Sequence, residues 1–445
     1  MRTRESDHAL SGVYSWTEST SWERSAMSIS SVSESEFRAI IAENFTPSEE
    51  IRTPERLFGR EKNMRLIDRA LNSPGRQIFI CGDRGVGKTS LAVTAAHLYA
   101  ASQSAPIYVP CGKNTTFAAA IHAVGTQTID IKERIEKPAT GRGVNLNFGG
   151  FGGVGVSAGT AGEVVIPVPK TIDEALDVIR YVARKRQGRV IIVIDEMERI
   201  ESKGERDLFA EFIKNLSTID RDIRFIFCGI ASDIHDLLNS HPSAGRILET
   251  IRLEKLHHDF LWQIITTVAE KVDVSIDREM LIRIGQISDG FPHFVHLIGD
   301  TLFWNIFDDP EDVKAASQEH FRAGINGALD RSDAVLRGQY QKATQKTKNT
   351  EDYEEALWAL ADTNSDMRQL QEIYDASYSK IMMKRTGRHA LPKETFNQRL
   401  LTLRNEGHGY IINGHGAGWF GFRENIMRGY VRLRAEQKGI SIGRG

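Results

Sequence analysis

Gly82-Asp83-Arg84-Gly85-Val86-Gly87-Lys88-Thr89 stands between an apolar run that ends at Cys81 and a helical pattern that begins near Lys88. The octet fits GxxxxGK[ST], and it occupies the strand-to-helix position that the chemistry of this pattern requires. Its glycines let successive backbone N–H groups turn inward around a polyphosphate, and the helix N-terminus behind them favours negative charge. Lys88 supplies a cation for the β and γ phosphates, while Thr89, followed by Ser90, offers a hydroxyl to Mg2+. ATP with Mg2+ is therefore the expected ligand pair, although the loop reads phosphates and not the base.

A second element completes this chemistry. Val190 to Ile194 is an unbroken apolar run, and two acids, Asp195 and Glu196, close it. Asp195 would hold the magnesium shell, and Glu196 would orient and deprotonate an attacking water. Acids at a strand end also serve as helix caps, but the phosphate loop upstream favours the catalytic reading.

Working outward, apolar runs of strand length recur at Gln77 to Cys81, Ile107 to Pro110, Arg189 to Asp195, Ile223 to Cys228 and near Ile251 to Leu253. Amphipathic patterns lie between them, as in a parallel sheet covered on both faces. The expected fold class is α/β, a P-loop NTPase core. After Leu253 the helical period takes over at His257 to Lys271, Arg278 to Ile287, Phe294 to Phe307 and Ala315 to Ala328, a helical lid. The expected division is a flexible polar tail over 1–45, the core over 46–254, the lid over 255–330, a linker over 331–352, a last unit over 353–435 and a tail over 436–445. Within the core, 141–162 reads GRGVNLNFGGFGGVGVSAGTAG, which suits a projecting β-hairpin or a flexible glycine-rich loop equally.

Composition narrows the function classes. A formal net charge of −2 gives no global pull toward nucleic acid or anionic membrane. The three cysteines, Cys81, Cys111 and Cys228, form no CxxC pair and read as buried thiols of a reducing cytoplasm. No run approaches the roughly 18 apolar residues of a membrane helix. The first 35 residues are Ser-, Glu- and Arg-rich and lack the apolar centre of a signal peptide.

Taken together, Phe58-Gly59-Arg60-Glu61, the phosphate loop, the Asp195-Glu196 pair, the strand at Phe225 to Cys228 and the helical lid resemble an AAA+ ATPase. More narrowly, they resemble the Orc1/Cdc6-like and archaeal-type branch that borders the STAND switch ATPases. The resemblance spans roughly Thr53 to Arg434. It implies that Phe58 and Arg60 lie against adenine and ribose, and that the strand ending at Cys228 presents the sensor-1 residue. Here the chain departs from the family's usual Asn, Ser or Thr, and Ser232 is the alternative. It also implies an arginine finger in Ser243-Ala244-Gly245-Arg246, with Arg246 preferred over Arg221 and Arg224, acting across a homo-oligomer interface. In Gly290-Phe291-Pro292-His293, Pro292 would pack on the adenine and His293 would stand where a sensor-2 arginine is usual. Gly290 and Pro292 also suit a plain helix start.

The last unit resembles the winged-helix domain that follows the lid in this branch. Helices are expected at Tyr353 to Ala361, Met367 to Ile381 and Lys393 to Leu403, with a wing from Tyr410 to Ile412 and Trp419 to Phe422. Lys384, Arg385, Arg388, Lys393 and Arg399 suit phosphate contacts with DNA, with Lys393, Asn397 and Gln398 facing a groove. Winged helices serve equally as protein docks.

Two functions follow from the resemblance. One is an assembling machine that oligomerises on nucleotide and acts on DNA or a partner, in bacterial defence, antiviral defence included, or in mobile-element biology. The other is a regulatory switch with slow hydrolysis that recruits a separate effector protein. Cys228 and His293 lean toward the switch, and the intact Asp195-Glu196 pair leans toward hydrolysis.

Overall fold

The computed structural model describes residues 29, 32–47, 50–102, 104–129, 166–219, 222–230, 245–345, 348–414, 416 and 418–443. The glycine-rich stretch 141–162, Arg221, Ser232, Ser243 and Ala244 lie outside the described residues. Five strands form one sheet in the order β2-β3-β4-β1-β5. They are β1 (Gln77–Gly82), β2 (Ile107–Pro110), β3 (Val190–Asp195), β4 (Ile223–Gly229) and β5 (Leu248–Leu253), and every pairing is parallel. Such a sheet must be covered on both sides, and its strands carry apolar residues in both phases to match. Ile78, Ile80, Ile191 and Val193 join one buried cluster, while Phe79, Val190, Ile192 and Ile194 join the other.

Among the described residues five helices accompany the core sheet: α2 (Glu61–Asn72), α3 (Lys88–Tyr99), α4 (Phe117–Thr126), α5 (Ile172–Lys185) and α6 (Lys203–Asn215). The lid follows as α7 (His258–Lys271), α8 (Arg278–Ser288), α9 (Pro292–Phe307) and α10 (Gln318–Arg331). The expected flexible tail over 1–45 contains instead a helix, α1 (Glu34–Asn44), closed at its start by a reciprocal Ser33–Glu36 capping box. Its Phe37 stacks on Phe307 at 4.2 Å and meets Trp304 edge-on at 4.9 Å, so α1 belongs to the lid. The expected linker over 331–352 likewise contains α11 (Ala334–Thr344), capped by Asp333 and buried through Leu336, Tyr340 and Ala343.

The C-terminal module comprises α12 (Thr350–Ala361), α13 (370–383, with a π-helical centre at Ile373–Tyr378), α14 (Lys393–Leu403) and α15 (Ile426–Gln437). Its antiparallel sheet has the order β6-β8-β7, from β6 (Arg368–Gln369), β7 (Ile412–Gly414) and β8 (Trp419–Phe422), an arrangement compatible with a wing. The expected tail over 436–445 is also packed: Ile440 and Ile442 are buried, and the Gly443 N–H donates to Asp362 at 3.1 Å.

This module sits directly on the lid. A Cβ at Gly429 would lie 2.4 Å from Phe294, so α15 and α9 approach as closely as a glycine allows. Beside that contact Asp289, at the end of α8, pairs with Arg428 at 3.0 Å and Arg432 at 3.3 Å, both almost fully buried. Lys255 reaches the same carboxylate at 3.0 Å. Buried charges need such partners, because an unpaired one costs several kcal/mol (~3–5) in the interior.

Candidate functional site

The phosphate loop turns between β1 and α3. Gly87 caps α3 at φ +97°, and Gly85 stands at φ +83°, both in the left-handed region that favours glycine. Lys88 is buried, and its ammonium donates to the carbonyls of Gly82 at 3.0 Å and Asp83 at 3.1 Å. It also lies 3.9 Å from the Glu198 carboxylate. The buried guanidinium of Arg60 braces the loop from behind, donating to Val86 O at 2.8 Å and to Glu254 O at 2.9 Å. Burial pushes that guanidinium down to about 10, still a cation at neutral pH.

Asp195, at the end of β3, is 1% exposed and is the most heavily engaged acid in the site. Its Oδ2 accepts from the Thr89 hydroxyl at 2.7 Å and from the Tyr108 phenol at 2.9 Å. Its Oδ1 accepts from the Glu196 N–H at 2.7 Å. The Cys228 thiol also hydrogen-bonds Asp195, and burial pushes that thiol well above its usual range. Cys228 is therefore a support for Asp195 and is itself fully buried. Glu196 sits at φ +56°, ψ +38°, an uncommon conformation for a side-chain-bearing residue. Its carboxylate accepts from Arg199 at 2.8 Å.

These groups open on one cleft of about 330 Å³, lined by Gly85 through Ser90, Asp195, Glu196 and Glu198 at its phosphate end. Phe58, Arg60, Ile51, Leu256, Pro292 and His296 close the other end. Thr89 and Asp195 both line the cleft, with hydroxyl and carboxylate 2.7 Å apart, a hard oxygen donor set that fits Mg2+. Phe58, Arg84, Pro292 and His293 line the same cleft as the loop. Arg60 lines it mainly as a brace. Pro292 begins α9 and lines the cleft from there.

Burial lowers the His293 pKa and, together with His293, pushes His296 down to about 4. Both rings are therefore neutral at pH 7. His293 hydrogen-bonds the Pro47 backbone, and the Thr46 N–H donates to His296 at 3.4 Å. Thr46, Pro47, Glu50 and Ile51 thereby become a wall of the cleft that no motif announced.

The mouth of the cleft meets the C-terminal module. Arg84 pairs with Asp333 at 2.8 Å and Glu424 at 3.5 Å. Asn425 donates to Asp83 at 2.8 Å. A Cβ on Gly85 would meet the Ile426 Cδ1 at 2.5 Å. Sequence reasoning missed these contacts, since nothing local links Asp83 to a residue 342 positions away.

Other expected residues fall elsewhere. Arg246 is exposed just before β5 and is not part of the cleft of its own chain. Arg224 is buried in the sheet and donates to Leu71 O at 3.1 Å, which removes it as a finger. The basic group expected to meet DNA is largely spent inside the module. Arg385 pairs with Glu351 at 2.8 Å and Glu355 at 3.1 Å. Arg388 pairs with Asp352 at 2.8 Å and Glu355 at 2.9 Å, and Arg399 pairs with Asp352 at 3.0 Å. Lys393 donates to Gln371, and Lys384 alone of the five is exposed without a described partner. Among the described residues no helix is long and apolar enough to cross a membrane.

The fold is shared with a Walker-type ATPase of Pyrococcus abyssi, at 16% identity and a TM-score of 0.51 over 87% of this chain and 99% of that one. Cdc6p from Pyrobaculum aerophilum aligns at 15% identity and a TM-score of 0.44, over 90% and 98% of the two chains. The ORC2 protein of Aeropyrum pernix aligns at 12% identity and a TM-score of 0.46, over 90% and 98%. No curated protein matches the chain. The novel STAND NTPase 1 profile, nSTAND1, matches residues 48–414, from the wall of the cleft through the lid into the C-terminal module. With its phosphate loop, parallel sheet and lid in place, this chain belongs to the novel STAND NTPase 1 family of P-loop NTPases.

Proposed function

We propose that this protein is an ATP-dependent conformational switch in which hydrolysis is slow and the C-terminal module is the moving part. The observation that carries this reading is the seating of that module on the phosphate loop, through Arg84 with Glu424, Asp83 with Asn425, and Gly85 under Ile426, while Asp333 of the lid connection is the second partner of Arg84. A guanidinium binds phosphate oxygens well, so a triphosphate in the cleft competes with Asp333 and Glu424 for Arg84. ATP then favours the released module by its differential contacts with the two states. A separate effector protein is the recipient of the surfaces so exposed.

Bound Mg2+ would supply charge neutralisation across the β and γ phosphates, held by Thr89 and Asp195. Lys88 binds the same phosphates, and Arg60 keeps the loop backbone in place. Glu196 is the base for the attacking water; Arg199 holds one of its carboxylate oxygens and leaves the other to accept the proton. The neutral His293 favours slow turnover.

The exposed Arg84–Glu424 pair is a surface interaction worth roughly 0.5–1 kcal/mol. Arg84→Ala is therefore expected to speed amide exchange of Ile426 to Tyr430 roughly two- to five-fold in nucleotide-free protein, by about that free energy. Exchange that is unchanged in the variant would remove Arg84 from the latch.

A second reading rests on Arg246. It is exposed and outside its own cleft, so a neighbouring subunit's phosphate is within its reach in an assembly. This reading requires the nucleotide-bound protein to form a discrete oligomer.

A further inference from the structure

Among the described residues Tyr108 is the one phenol that hydrogen-bonds the acid pair, and no motif of the phosphate site includes it. It lies on β2, which runs parallel to β3 with Tyr108 level with Val193 and Pro110 level with Asp195. Tyr108 and Val193 both pack on the α3 side of the sheet, whereas Ile107, Val109 and Ile194 pack on the opposite side. Alternation along β3 therefore puts Asp195 on the Tyr108 side, one pleat further on. The phenol spans that step and donates to Oδ2 at 2.9 Å.

The consequence lies in which lone pairs remain. Oδ2 is shared by the hydroxyls of Thr89 and Tyr108, and Oδ1 is held by the Glu196 N–H. When Thr89 turns its oxygen to a cation, the Tyr108 phenol still holds Oδ2, and the buried Cys228 thiol still reaches the same carboxylate. Outer-shell donors of this kind fix the rotamer of a metal-binding carboxylate and tune its affinity.

We infer that Tyr108 is a magnesium-positioning residue, which orients Asp195 from the neighbouring strand and sets the Mg2+ concentration at which nucleotide binding tightens. The inference rests on the Mg2+–ATP reading of the cleft. Tyr108→Phe keeps the ring and its packing and deletes only the donor.

The test is a titration of a fluorescent ATP analogue at fixed free Mg2+ concentrations, with an EDTA series beside it, on the full chain and on Tyr108→Phe. Removal of an outer-shell partner is expected to raise the Mg2+ midpoint on the order of 10-fold. Affinity in EDTA is expected to match that of the unaltered chain, a result that loss of fold would not give. An unchanged Mg2+ midpoint in Tyr108→Phe overturns the positioning role. Failure of the unaltered chain to bind the analogue, or binding indifferent to Mg2+, overturns the underlying reading of the cleft instead.

Discussion

Lys88→Ala is expected to abolish ATP binding at micromolar nucleotide. The buried ammonium already replaces solvent for two loop carbonyls, at 3.0 and 3.1 Å, so it is held where the β and γ phosphates would lie. Each hydrogen bond to a charged group contributes about 1.5–3 kcal/mol. Without the two that the ammonium would make to the phosphates, affinity falls by about a hundredfold to ten-thousandfold. The substitution also strands the carbonyls of Gly82 and Asp83, which loosens the loop itself. Calorimetric titration of the variant with ATP measures both effects together. Affinity within a few-fold of the unaltered chain would place the phosphates elsewhere.

Glu196→Gln is the second large effect, and it separates binding from chemistry. The amide keeps the shape of the side chain and an oxygen that can still accept from Arg199. It cannot take a proton from water at neutral pH. Turnover is expected to fall about a hundredfold to ten-thousandfold, the usual contribution of a positioned base. ATP affinity is expected to stay within a few-fold. The same variant, weighed by light scattering with ATP and Mg2+, decides between the two readings of Arg246. A monomer fits a switch that works within one chain, and a discrete oligomer supports the reading of Arg246 as acting in a neighbour's cleft. Normal turnover in Glu196→Gln would remove the base assignment and direct attention to Glu198, the next acid on the cleft wall.

What the sequence made legible is what chemistry encodes locally. The phosphate loop needs its glycines, lysine and threonine within eight consecutive positions, and the acid pair needs an apolar strand directly before it. The lid helices also follow from a 3.6-residue apolar period, and their observed limits lie within about three residues of those expected. Composition misled where it outweighed pattern. The Ser- and Glu-rich start of the chain masked α1, although Ser33, Glu36, Phe37 and Ile41 supply a cap and a buried face.

Charge was the least legible property. Counting neighbours along the chain made Arg385, Arg388 and Arg399 a solvent-facing group, because their acids lie 30 to 47 residues earlier on α12. Folding brings both sets together, and the patch expected to meet DNA is largely neutralised. Tyr108 could have been noticed, since a polar aromatic in a strand beside the acid strand must find a partner when buried. The Arg84 latch could not, because its partners arrive from the lid connection and the C-terminal module.

The central claim is that ATP releases the C-terminal module from the phosphate loop. The most direct test is amide hydrogen exchange across Glu424 to Tyr430 in the Glu196→Gln protein, saturated with Mg2+ and either ATP or ADP. Release predicts faster exchange in that segment with ATP than with ADP, while β1 and β4 in the core remain equally protected. Equal or slower exchange with ATP would contradict the account, and would leave the module a fixed part of the fold.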